Sequence, residues 1–101
     1  MAHLQRMTLG DASLEREVLV MFSAQALSLA AALARLPSDA GALVHTLKGS
    51  ARAIGAFAVA DAASHLEVLL RKGADPAEAL HRLNEAVTEA RTAIEAILQR
   101  S

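Results

Sequence analysis

The sequence contains no cysteine, tryptophan or tyrosine, and its two phenylalanines account for the 2% of residues that are aromatic. The lack of cysteine excludes disulfides, thiolate metal ligands and a cysteine nucleophile, and it fits a reducing compartment such as the cytoplasm. The lack of stacking aromatics, the formal net charge of −1 and the dispersal of the ten basic residues argue against nucleic-acid binding.

The start of the chain does not have the composition of a signal peptide. Charged residues interrupt it, namely Arg6, Asp11, Glu15, Arg16 and Glu17. No apolar run approaches the ~20 residues that are needed to span a bilayer. We therefore expect a cytoplasmic protein that does not contact a membrane.

The abundant residue types predict an all-α fold. Hydrophobic residues make up 53% of the chain, prolines number only two and glycines five, and β-branched residues form no alternating runs. At 101 residues, the chain has the length of a single domain spanning 1–101. The composition thus predicts one helical domain whose core is built from aliphatic side chains.

Turn-forming residues divide the sequence into four amphipathic segments. Pro37 ends the first, Gly55 and Gly73 follow the second and third, and Asp75 supplies an N-cap for the fourth. The predicted helices cover approximately 11–36, 39–54, 57–72 and 76–99. Because the connections are short, neighbouring helices should run antiparallel. The expected architecture is an antiparallel up-down four-helix bundle, with residues 1 to about 10 as a short N-terminal arm or cap.

The second predicted helix carries an outward-facing histidine. At 100° per residue, Leu43, Leu47 and Ile54 fall on one side of this helix and are expected in the core. His45 lies about 160° to 180° from that stripe, so we expect its imidazole in solvent. The residues expected to share this exposed surface are Gly41, Ala42, Lys48, Gly49 and Arg52.

Two glycines inside this helix are unexpected on stability grounds. Each costs about 0.5 to 1 kcal/mol relative to alanine, so Gly41 and Gly49 indicate a requirement other than helix stability. With no side chains on either side, the outer nitrogen of His45 is open to a bulky partner, and Lys48 and Arg52 supply positive charge beside it. Such a surface suits an anionic group, and a phosphoryl group above all.

These residues belong to a stretch that resembles a known family. Residues 45–55, with the sequence HTLKGSARAIG, resemble the H-x-L-K-G-S/A-x-x-x-L/I-G signature of histidine phosphotransfer (HPt) domains. The resemblance covers essentially residues 9–72, because Phe22, Asp39 and the pair Leu66-Glu67 stand where the family has similar residues. The fourth predicted helix agrees with the family in length and position.

The resemblance implies three residues with chemical roles. His45 would be phosphorylated, with its Nε2 atom attacking the phosphorus of an aspartyl phosphate on a receiver domain. Lys48 would stabilise the equatorial phosphoryl oxygens. Glu67 stands 22 positions after His45, where many relay domains have glutamine and chemotaxis histidine kinases have glutamate. Our hypothesis is that its carboxylate accepts the Nδ1 proton of His45 and leaves Nε2 nucleophilic.

The other site residues would bind the phosphoryl group or the partner, or shape the helix. Gly49 would leave space for the phosphoryl group and the receiver, and Gly55 would form the turn into the third helix. The expected binding surface comprises Gly41, Ala42, Gly49, Ser50 and Arg52. We expect no cofactor on this chain, because the required Mg²⁺ would bind to the partner receiver domain.

Two further histidines raise the question of a metal site. His65 follows Asp61 by four residues, and His81 follows Glu78 by three. A di-iron bundle needs two helices with a Glu-x-x-His unit and two further glutamates, and the sequence has one such unit. We therefore expect no metal site.

The function implied by the resemblance is relay of a phosphoryl group between receiver-domain aspartates. The expected partners are response-regulator receiver domains and a hybrid sensor histidine kinase, and the expected form is a monomer in a bacterium. Autokinase activity is not expected, because the chain has no room for an ATP-binding domain and no Gly-rich phosphate loop. A fragment of a dimeric histidine kinase fits less well, since the residues after His45 are neither acidic nor proline. The remaining alternative is a non-catalytic helical-bundle module that binds receiver or kinase domains.

Overall fold

The computed structural model describes residues 12–100 and shows four α-helices in that part of the chain. The helices are α1 (Ala12–Leu33), α2 (Ala40–Ile54), α3 (Phe57–Lys72) and α4 (Ala77–Arg100). No β-strand occurs among these residues, which confirms the predicted all-α class. The predicted N-terminal arm lies outside the described residues.

The four helices close a ring. Helix α1 packs against α2 and α4, and α3 packs against the same two helices. The linking segments contain only two to six residues, and connections this short join antiparallel neighbours. The predicted four-helix bundle is therefore confirmed, and it is elongated, with extents of 42 × 21 × 18 Å.

Helix α1 ends at Leu33, three residues before its predicted end. Proline disfavours helical backbone in the residue before it, and Leu36, which precedes Pro37, has a φ of 46°. The chain tightens in this turn, since the amide of Leu36 donates to the carbonyl of Leu33 at 2.9 Å. The apolar spacing continues through the turn, and the predicted helix was too long for that reason.

Local sequence determines where α2 ends and where α4 begins. Gly55 has a φ of 84°, a left-handed conformation that favours glycine, and its amide donates to the carbonyl of Arg52 at 3.2 Å. The carboxylate of Asp75 accepts a hydrogen bond of 3.0 Å from the amide of Ala77 and begins α4. The left-handed turn at Gly55 and the cap at Asp75 keep the connections short, so neighbouring helices lie side by side.

The core consists of aliphatic side chains and alanines from all four helices, together with Phe22 of α1. The largest wholly buried side chains are Leu33, Val44, Leu47, Val59, Leu66, Leu83 and Ile94. Buried alanines lie between them on α1, α2 and α3, which lets these helices approach closely. The packing of α2 against α3 through this core fixes the relative positions of the side chains on their outer faces.

Helix α1 is long and apolar enough to cross a membrane by length and composition alone, which corrects the expectation that no run approaches that length. An 18-residue stretch of α1 has this apolar composition, and 28% of it is buried inside the bundle. Length and composition alone do not distinguish a membrane span from the core helix of a soluble protein. Here Leu19, Phe22 and Leu33 face the core.

Candidate functional site

Helix α2 holds His45 on its outer face. The opposite face packs into the core through Val44, Leu47, Ala51 and Ile54, which are all buried. His45 projects away from that stripe, and its side chain is 70% exposed. The structure therefore has the histidine in the outward orientation that the helical phase predicts.

The carboxylate of Glu67 on α3 contacts both His45 and Lys48. Its Oε2 atom lies 3.0 Å from Nδ1 of His45, and its Oε1 atom accepts a hydrogen bond from Nζ of Lys48 at 2.5 Å. A two-residue link joins α2 to α3, and their packing brings position 67 opposite positions 45 and 48. The Glu67 and Lys48 side chains are only 14% and 15% exposed, so the contacts form beneath the projecting imidazole.

The contact with Glu67 determines which imidazole nitrogen of His45 carries the proton in the neutral ring. Hydrogen bonds from Lys48, and then from His45, lower the pKa of Glu67 below its usual value despite the opposing effect of its partial burial. The carboxylate is thus ionised at neutral pH and can only accept hydrogen bonds. In a neutral imidazole the proton between the two residues is therefore on Nδ1, and the lone pair is on Nε2, at the far edge of the exposed ring.

Lys48 points toward Glu67 and not toward the solvent beside His45. The resemblance implied a contact between Lys48 and phosphoryl oxygens, but its ammonium is bound to Oε1 of Glu67 and the side chain is largely covered. In this arrangement the effect of Lys48 is to hold the carboxylate that orients His45. Helical phase placed Lys48 near His45, but it could not show the distance to a carboxylate on another helix.

Arg71 is a second cation near this carboxylate, and it was not among the predicted site residues. Its Nη2 atom lies 3.9 Å from Oε1 of Glu67, and its side chain is 72% exposed. Arg71 follows Glu67 by four residues on α3, so the two side chains are neighbours on one helix face. That spacing was the available signal once Glu67 was included in the site. The site therefore contains one carboxylate and two cations beside an exposed imidazole.

The helix surface on either side of His45 is low and open. Gly41, Ala42 and Gly49 are all exposed, and a Cβ atom added at either glycine would meet no atom within 4 Å. Nothing in the packing of the described chain therefore requires glycine at these positions, although each glycine costs helix stability. The space that they leave faces outward, where a partner would approach.

Ser50 and Arg52 lie on different sides of α2. Ser50 is half-buried and lines a groove of about 330 Å³ between α1 and α2, together with Met21 and Gln25 of α1. Arg52 is exposed on the outer side. Met21, with 70% of its surface exposed, was not among the predicted site residues. The periodicity of α1 alone does not show which flank of that helix faces α2.

His65 and His81 are not brought together with a set of metal ligands in the described part of the chain. Among residues 12–100, no group of three His, Asp or Glu side chains could hold a metal ion. Nε2 of His81 lies 2.6 Å from Oε1 of Glu85, whereas Glu78, which the sequence suggested as its neighbour, pairs with Arg82 at 3.0 Å. Both contacts lie on the exposed face of α4.

Comparison with known protein families agrees with the resemblance seen in the sequence. Residues 16–99 match the family described as Hpt domain. No curated protein and no solved structure matches the chain. The matched range includes His45, Lys48, Glu67 and Arg71, so the candidate site lies wholly within it.

Proposed function

The chain belongs to the Hpt domain family, the phosphotransfer modules of phosphorelays, and on that basis we propose that it relays phosphoryl groups through a phosphohistidine at His45. The observation that carries this proposal is the contact of Nδ1 with the ionised Glu67 beneath an imidazole that is 70% exposed. It leaves Nε2 unprotonated and accessible, as a nucleophile for phosphorus must be.

The transfer step follows from this geometry. Nε2 attacks the phosphorus of an aspartyl phosphate on a receiver domain, so that an N–P bond forms while the P–O bond breaks and the aspartate leaves as a carboxylate. No proton has to leave the ring, since Nδ1 keeps its own. The phosphorylated ring is cationic, and the Glu67 carboxylate stabilises that charge. The reverse step transfers the phosphoryl group to a second receiver, whose Mg²⁺ neutralises the phosphoryl oxygens.

The proposal gives Lys48 a positioning role. Its bond to Oε1 holds Glu67 in place and compensates the charge of a carboxylate that is mostly covered. Arg71 is more weakly held and far more exposed, so it can turn toward a phosphoryl group on His45 without releasing Glu67. A guanidinium also matches the geometry of phosphoryl oxygens.

We further propose that the receiver docks on the outer face of α2. Gly41, Ala42 and Gly49 leave this face low enough for a receiver to bring its aspartate close to Nε2. The groove that Met21 and Ser50 line provides an apolar surface beside it. An interface of this kind is small and transient, which suits a carrier that must exchange partners.

The direct test is transfer of labelled phosphate from phosphorylated receiver domains to the full chain in the presence of Mg²⁺. Wild type should acquire an acid-labile, base-stable label, and His45→Gln should acquire none. His81→Gln is the matched control, because His81 is also an exposed histidine in contact with a carboxylate. Its labelling should equal that of wild type. Label that persists in His45→Gln would assign the phosphorylation to another residue.

The same experiment addresses the alternative of a non-catalytic binding module. Receiver binding by wild type without any label would favour that module and reject the carrier. A hybrid sensor histidine kinase as the upstream source of phosphoryl groups, and a cytoplasmic location in a bacterium, belong to the proposal as well. The location rests on the lack of cysteine and on the receiver domains proposed as partners.

A further inference from the structure

The outer face of α1 forms an apolar stripe that no other part of the described structure covers. Between Glu17 and Arg35 the sequence has no charged residue. Val20 and Leu27 on this face are 52% and 48% exposed. The small residues exposed on the same face are Ala24, Ser28 and Ala31. Single apolar residues on a surface are ordinary, but a contiguous patch of this kind marks an interaction site.

The two ends of this stripe carry opposite charges in helical register. Glu17 and Arg35 are 18 residues apart, which is five turns at 3.6 residues per turn, so they lie on one line along the helix. Arg35 lies in the turn after α1. The backbone of this turn stays close to helical, because the amide of Arg35 donates to the carbonyl of Ala32. Both side chains are exposed, and within residues 12–100 neither forms an ion pair.

We propose that a second copy of this chain covers the stripe, with the two α1 helices packed antiparallel about a two-fold axis. In the register that brings Glu17 opposite Arg35 of the other copy, Ala24 lies opposite Ser28 of that copy. Small residues thus face each other, and the helices can approach closely. Leu27 lies beside the axis and meets its own counterpart. The contacts away from the axis each occur twice, as an isologous interface requires.

The proposed pair differs from the monomer expected from the sequence and does not depend on the phosphotransfer proposal. His45 lies on α2, so the imidazole remains accessible when two α1 helices pack together. The stripe is about 27 Å long at 1.5 Å per residue and one helix wide, which is less than the ~800 Å² per partner of a standard interface. We therefore expect a weak dimer that dissociates on dilution, with a dissociation constant of roughly 10 to several hundred µM.

A single engineered thiol tests the contact at the axis. The chain has no cysteine, so Leu27→Cys can form a disulfide only with another copy, and only if the two positions come within about 7 Å. Mild oxidation above the dissociation constant should convert most of this variant to a covalent dimer. The control is Val68→Cys on α3, at a residue that is also partly exposed, and it should remain mostly monomeric. Equal cross-linking of the two variants would overturn the proposal.

Charge reversal tests the register, with the dissociation constant measured by sedimentation equilibrium. Glu17→Arg alone, or Arg35→Glu alone, places like charges opposite each other twice and should raise the constant by about three- to tenfold. The double variant E17R/R35E should return it to the wild-type value, because the reversed pair is complementary again. Further weakening in the double variant would reject the antiparallel register.

A bilayer is the competing occupant of the apolar face, since α1 meets the length and composition of a membrane span. Flotation with vesicles of phosphatidylcholine and phosphatidylglycerol, alongside sedimentation of the free protein, separates the two. Wild type should dimerise with concentration and should not float. Flotation of a protein that stays monomeric up to about 1 mM would assign the face to membrane and overturn the proposal.

Discussion

Replacing Glu67 with glutamine removes the negative charge beside Lys48 while keeping an oxygen that accepts a hydrogen bond from His45. Lys48 is 15% exposed, so in this variant its ammonium loses an anion in a partly desolvated position. Exposed pairs contribute about 0.2 to 1 kcal/mol, and breaking a fully buried pair costs about 3 to 5 kcal/mol. We expect Glu67→Gln to lower the free energy of unfolding by about 1 to 3 kcal/mol at neutral pH, between these limits.

The pH dependence of this loss gives the sharper test. Because the pKa of Glu67 is lowered in the folded protein, the carboxylate stabilises the fold above its unfolded pKa of about 4.3. That stabilisation disappears as the pH falls through the lower, folded pKa. The difference in unfolding free energy between wild type and Glu67→Gln should therefore be constant above about pH 5 and should shrink progressively below about pH 4.

Urea unfolding followed by far-UV circular dichroism is the suitable assay, because the chain has no tryptophan or tyrosine for fluorescence. Glu78→Gln is the matched control, since Glu78 is 80% exposed and pairs with Arg82 on a single helix. Its loss should not exceed about 0.5 kcal/mol. The reasoning is refuted if Glu67→Gln loses no more stability than this control, or if its loss is the same at pH 3 as at neutral pH.

Three further substitutions and one control variant separate fold stability from phosphoryl transfer. Gly49→Ala should raise the free energy of unfolding by about 0.5 to 1 kcal/mol and slow transfer from a receiver, so an unchanged transfer rate would show that the open surface has no role. Gly55→Ala should cost about 1 kcal/mol because of its left-handed backbone, and denaturant unfolding would measure it. Arg71→Gln should slow transfer with less than about 0.5 kcal/mol change in stability, whereas Arg82→Gln should leave the transfer rate at the wild-type value.

The sequence was sufficient to predict the bundle and the outward direction of His45. The bundle follows from the turn-forming residues and the short connections. The direction of His45 follows from periodicity within one helix, where the spacing of Leu47 and Ile54 defines the buried side. The end of α1 was predicted less well. Leu36, just before Pro37, continues the apolar pattern of α1 although its backbone is no longer helical. The spacing of apolar residues shows which face of a helix is apolar, but it does not show at which residue the backbone leaves the helical conformation.

Contacts between helices were predictable only in part. The family resemblance suggested that Glu67, 22 residues after His45, reaches the imidazole, and the two side chains do meet. The engagement of Lys48 by the same carboxylate depends on the distance between α2 and α3, which no single-helix pattern contains. The exposed stripe on α1 was missed for a related reason. Only the arrangement of all four helices shows which of its apolar residues are left outside.

The negative charge of Glu67 matters both for the chemistry proposed at His45 and for the stability of the fold. In the proposed relay, the Glu67 carboxylate beneath His45 would stabilise the cationic ring that forms on phosphorylation, but its partial burial alone would raise the pKa of Glu67 and oppose its ionisation. Lys48 offsets the effect of burial and keeps the carboxylate ionised, because it lies one helix turn after His45 and donates a hydrogen bond from its ammonium to Oε1. Because Lys48 is bound to the carboxylate, the proposed relay assigns the contact with the phosphoryl group to another cation. Arg71, exposed and one turn along α3 from Glu67, would supply it in that proposal.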